Sequence, residues 1–116
     1  SWLLDLKILT VYPYGLKAPG GSYLDANESK RFEVRKNDRD YKSGDFLHLK
    51  EWNPLKGEYT GQEAICAVRY ILQDEKYLQP GFCVMTIVVL KTRLFRFPGK
   101  PPAWTGIDPE EYLGRS

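Results

Sequence analysis

The sequence predicts a mainly β domain with one or two short helices, an α+β chain whose strands close into a small barrel. Three observations point there: several short runs alternate apolar and polar residues, clusters of Gly, Pro, Asn and Asp separate them, and aromatic residues reach 14%. A chain of 116 residues fits one domain. It buries about two-thirds of its unfolded surface, enough to do without a disulfide or metal staple. A composition of 42% apolar and 28% charged residues belongs to a globular protein and excludes a disordered one. Residues 1–97 are expected to form the domain, and residues 98–116, rich in Pro, Gly and Asp, an extended tail with little regular structure.

The elements follow in chain order. From Trp2 to Thr10, Leu4, Leu6 and Ile8 alternate with Asp5 and Lys7, which is a strand pattern. Pro13, Gly15, Pro19, Gly20 and Gly21 then mark a loop, and Ser22 is placed to cap a short helix over Tyr23 to Ser29. Arg31 to Lys36 alternates again, with Phe32 and Val34 on one side and Arg31, Glu33 and Arg35 on the other. Asn37 to Gly44 carries turn chemistry: Asn and Asp side chains bond nearby amides, and Gly44 permits a positive φ before the next strand.

That next strand, Asp45 to Trp52, sets Leu47 and Leu49 against Phe46, His48, Lys50 and Trp52. Asn53, Pro54 and Gly57 form a connecting turn. Glu63 to Leu72 places Ala64, Cys66, Val68, Tyr70 and Leu72 on one side. Gln73 to Pro80 reads as a loop or helical turn. Phe82 to Leu90 is apolar on both faces, as in a central strand covered on both sides, and Leu94, Phe95 and Phe97 are placed to prolong the sheet. Five or six strands at this spacing imply a strongly curved sheet or barrel.

A net charge of +2 supplies no global field for nucleic acid, so binding of that kind needs a local patch. The richest lies between Lys30 and Lys42, where six basic residues meet Glu33, Asp38 and Asp40. A solvated strand-and-turn surface accounts for the same charges. Cys66 and Cys83 sit in apolar runs and read as buried free thiols; the sequence calls for no metal and no cofactor. The apolar start is broken by Asp5 and Lys7, and no apolar run reaches membrane-spanning length, which predicts a cytoplasmic protein without a signal peptide or membrane partner. A monomer is the default.

Candidate functional residues concentrate in the same patch. Lys30, Glu33 and Arg35 lie within six positions, and such a set suits a phosphate and a polar base: Arg donates bidentately and a carboxylate accepts from amino groups. A salt-bridged strand edge suits the spacing equally. Lys36 and Arg39 extend the basic surface, and Tyr41, Trp52 and Tyr59 are candidates for stacking bases, packing being the commoner fate of such rings. His48 is the single histidine, which excludes a two-His metal site within one chain, and no nucleophile elbow accompanies it.

The run FEVRKNDRDYKSGDFLHLKEW, followed by EYTGQE, resembles a bacterial and phage branch of the ASCH domains in the PUA-like superfamily, a branch of unknown function. The similarity extends from about Leu6 to Phe82. It implies a PUA-like barrel with a flanking helix and a cleft for RNA or a modified nucleoside. Some ASCH relatives are amidohydrolases that remove an acyl group from modified cytidine, and Lys30 and Arg35 match their Lys and Arg. Glu33 stands where those enzymes place a Thr nucleophile, so the resemblance implies binding ahead of deacylation. Three further departures stand out: Leu4 in place of a His, Ser29 in place of the Gly before the Lys, and a longer Pro/Gly loop from Thr10 to Gly21.

The expected function is therefore a nucleic-acid-binding module for RNA or a modified nucleotide, with DNA as a possible ligand. The alternatives are a hydrolase using Lys30 and Glu33, with Glu33 as general base, and a protein-interaction module acting through the tail.

Overall fold

The computed structural model describes residues 6–11, 30–95 and 98–114, and for residues 30–33 the backbone alone. The expected helix over Tyr23 to Ser29, the Pro/Gly loop before it, Leu4 and Phe97 lie outside the described residues. Six strands follow in order: β1 (Leu6–Val11), β2 (Lys30–Lys36), β3 (Phe46–Asn53), β4 (Glu58–Leu72), β5 (Phe82–Leu94) and β6 (Ala103–Gly106). One short helix, α1 (Pro109–Gly114), ends the described chain. The mainly β class with a short helix is as the alternation predicts.

All six strands form one sheet in the order β1-β3-β4-β5-β2, with β6 also paired to β5. The sheet curls into a half-barrel. β1 runs parallel to β3, with Leu9 opposite Leu49, and every other pair is antiparallel. β5 is the hub: β4 lies along one side, while β2 and β6 share the other, pairing with residues 82–88 and 91–94.

Both faces of the sheet carry apolar clusters, which explains why Phe82 to Leu90 of β5 is apolar on both faces. The larger cluster joins Leu9, Val11, Tyr41, Leu47, Leu49, Ala64, Cys66, Val68, Cys83, Met85 and Ile87. The smaller one, Phe46, Ala67 and Leu90, is covered by Ile107 and Tyr112 from the C-terminal segment. Cys66 and Cys83 are both buried.

Two covered faces also correct three phase assignments. In β1, Leu9 and Val11 are buried while Ile8 is exposed, and Lys7 is half-buried because its Nζ meets Asp45 Oδ2 at 2.8 Å. In β4 the register shifts between Val68 and Tyr70, so Tyr70 and Leu72 turn outward while Ile71 packs on the large cluster. A bulge adds one residue to one strand and reverses the alternation beyond it. In β2, Val34 is exposed and Arg35 half-buried, the reverse of an apolar-inward strand.

The turn from Asn37 to Asp45 forms as its residues dictate. Asn37 Oδ1 accepts from the Tyr41 amide at 3.0 Å, Asp45 Oδ2 accepts from the Lys42 amide at 2.8 Å, and Gly44 has φ of 95°. Asp45 therefore holds the turn and ties it to β1 through Lys7.

The stretch from residue 98 departs from the extended tail expected of it. β6 pairs with the end of β5, and α1 follows with Pro109 buried. Gly106 makes this docking feasible: a Cβ there would stand 2.3 Å from the Leu90 carbonyl oxygen, at φ of +125°. The Ile107 amide then donates to that same carbonyl at 3.0 Å. Proline and glycine content signalled loss of regular structure, but here these residues shape a close approach of two backbones.

Candidate functional site

The open side of the half-barrel lies between the two edge strands. β1 and β2 share no ladder; arginine side chains bridge them instead. Arg35 Nη2 donates to the Thr10 carbonyl at 2.9 Å, and Arg39 Nη1 donates to the Ile8 carbonyl. β1 pairs with β3 on its other side, so the carbonyls of Thr10 and Ile8 that face the seam need donors. A guanidinium carries its N–H groups in a planar fork, so a bond to a backbone carbonyl fixes the plane of the whole group.

A cleft of about 300 Å³ opens along this seam, lined by Ile8, Leu9, Thr10, Arg35, Lys36, Asp38, Arg39 and Tyr41. Among the described residues, its charged lining is three cations against the carboxylate of Asp38. Tyr41 forms the floor. It is 2% exposed and belongs to the large core cluster, so its ring face is engaged in packing and is withdrawn from stacking. Burial pushes its phenol pKa above the ordinary value, while the positive charges of Arg35 and Arg39 pull in the opposite direction.

The sequence-predicted residues divide into two groups. Arg35, Lys36, Arg39 and Tyr41 gather at the cleft. Trp52 and Tyr59 pair across the β3–β4 hairpin, edge to face, with ring centroids 4.9 Å apart. Lys50 Nζ sits 4.5 Å from the Tyr59 ring centre, and the Tyr59 hydroxyl meets Thr10 Oγ1 at 3.3 Å. Thr10 thus touches both groups, its carbonyl on the cleft side and its hydroxyl on the aromatic side. The side chains of Lys30 and Glu33 lie outside the described residues; the β2–β5 register sets Glu33 opposite Met85 and Arg35 opposite Cys83.

Two polar arrangements escape sequence reasoning. Glu51 is buried, and its Oε1 accepts from Thr60 Oγ1 and Gln62 Nε2, each at 3.1 Å. On the other sheet face, His48 Nε2 lies 2.7 Å from Glu63 Oε1, and Arg93 Nη1 stands 3.6 Å from Glu63 Oε2. His48 also meets the edge of Trp104 at 6.1 Å. Alternation places His48 beside Lys50, but only the pairing of β3, β4 and β5 brings Glu63 and Arg93 to it. No cluster of His, Cys, Asp and Glu among the described residues has the makings of a metal site.

A family model matches residues 24–87, more than half of the chain. The chain belongs to the family described as a domain of unknown function (DUF3850). The matched stretch holds β2, the 37–45 turn, β3, β4 and the first half of β5, and so the basic wall of the cleft. The membership supplies no activity. β1, which forms the opposite wall, and β6 lie beyond the matched residues. No curated protein matches the chain. Among the described residues, no helix is long and apolar enough to cross a membrane.

Proposed function

We propose that the chain is a cytoplasmic nucleic-acid-binding module that holds RNA, or a single modified nucleotide, in the cleft between β1 and β2. One observation carries this: among the described residues, Arg35, Lys36 and Arg39 line one concave site with Asp38 as its one carboxylate, and two of the three cations are held in place by backbone carbonyls. Pre-oriented guanidinium groups suit a phosphate or the edge of a base, because less side-chain freedom is lost on binding. The resemblance of the FEVRKNDRDYKSGD stretch to ASCH domains supports the same ligand class, and a curled, barrel-like sheet is in keeping with a PUA-like fold. Lys30 and Glu33, on the strand that carries Arg35, are the residues this resemblance adds to the site.

The reading is tested by titrating mixed-sequence RNA and DNA pools at low salt, followed by fluorescence anisotropy. Binding should weaken steeply with salt, and Arg39→Ala should lower affinity by about tenfold while reducing the salt slope by about one. Absence of binding to both pools at low salt overturns it.

A further inference from the structure

The sheet face opposite the large core cluster carries a second ordered set of side chains. Register aligns Thr10, Lys50, Glu63, Arg93 and Trp104 in one row across β1, β3, β4, β5 and β6. Residues paired in register point to the same side of a sheet. Beside this row stand Ile8, His48, Ile65 and Lys91 in the next. Trp104 ends the row on β6, while Tyr59, paired with Trp52 beyond the row, reaches its β1 end through a hydroxyl 3.3 Å from Thr10 Oγ1; they are 40% and 44% exposed, and each has a lysine over its ring, Lys91 at 5.2 Å and Lys50 at 4.5 Å. Among the described residues, Lys50, Lys91 and Arg93 are the cations of this face, against Glu63 within it and Asp108 at its margin, 2.6 Å from Lys91 Nζ.

We infer that this face is a docking track for single-stranded nucleic acid, continuous with the cleft around the edge of β1 through Thr10. Five strands about 4.8 Å apart span roughly 19 Å, room for several nucleotides at a stacked spacing of about 3.4 Å. The surface lysine–ring contacts do not obstruct this. A cation over a surface ring is a weaker contact than a base stacked on that ring, so a base displaces the lysine. The displaced ammonium groups then face the phosphates. A duplex keeps its base faces stacked inside, and so cannot use rings on a sheet. The inference rests on the proposed cleft function and narrows it: the ligand is a single strand of several nucleotides, with Tyr59 and Trp104 as its outer platforms.

The test compares a labelled single-stranded RNA trinucleotide, a decamer of mixed sequence and a duplex of the same decamer. The wild-type chain should bind the decamer at least tenfold more tightly than the trinucleotide or the duplex. Trp104→Ala and Tyr59→Leu should each lose about tenfold on the decamer and little on the trinucleotide, whereas Arg39→Ala weakens both. Trp104→Phe, which keeps a ring on β6, should retain most of the affinity and guards against a folding defect. Equal binding of trinucleotide and decamer, or decamer binding unchanged in both ring variants, overturns the track and leaves the cleft standing. A chain that binds none of the three probes overturns both, and points to a protein as the occupant of this face.

Discussion

Arg35, on β2, donates a 2.9 Å hydrogen bond to the carbonyl of Thr10, on β1, joining the two edges of the sheet that no backbone ladder connects. A hydrogen bond from a charged donor contributes about 1.5–3 kcal/mol, more than a neutral one. Arg35→Met should therefore destabilise the fold by about 1–3 kcal/mol, measured as a lower urea midpoint with unchanged slope. Arg35→Lys should recover only part of this, because an ammonium lacks the planar fork that spans the seam. A variant as stable as the wild type would show the seam to be held by other contacts.

Gly106 sits against the Leu90 carbonyl, with no room for a Cβ and a φ that side chains disfavour. Gly106→Ala should cost about 2 kcal/mol or more and release β6 and α1 from the sheet before the rest unfolds. Amide hydrogen exchange checks it: protection should fall first at Ile107 and Tyr112, whose amides bond to Leu90 and Asp108.

Tyr41 gives the fold an alkaline limit. Burial raises its folded pKa, while the unfolded chain ionises near the ordinary value of 10.0. Above that pH the unfolded state holds fewer protons than the folded one, so stability falls as pH rises. The contribution is fully present below pH 10 and is lost as pH rises through the raised value. Denaturation midpoints measured from about pH 8 upward should drop beyond about pH 10, and Tyr41→Phe should flatten that decline.

How far the sequence carries can be traced residue by residue. Alternation and turn chemistry determined that there are strands and where most of them stop: Asn37 and Asn53 act through bonds to amides a few residues away and Gly44 through its positive φ, all of which local sequence specifies. The Leu47 and Leu49 face was legible because β3 alternates without a break from Leu47 to Glu51. The phase of β1 was not, since both sheet faces are covered and either set of its apolar residues has a core to join. The outward turn of Tyr70 was hidden by a bulge, which depends on the partner strand.

For the site, the sequence by itself determined a basic segment from Lys30 to Lys42 and the turn that presents it. Tertiary structure alone decided which of its members meet. It brought Arg35 and Arg39 to the edge of β1, sank Tyr41 into the core, and moved Trp52 and Tyr59 to a separate face alongside Trp104. The reason is physical: a strand's own residues set which side chains share a face, but the curl of the sheet and the need of an edge strand's carbonyls for donors set what that face meets.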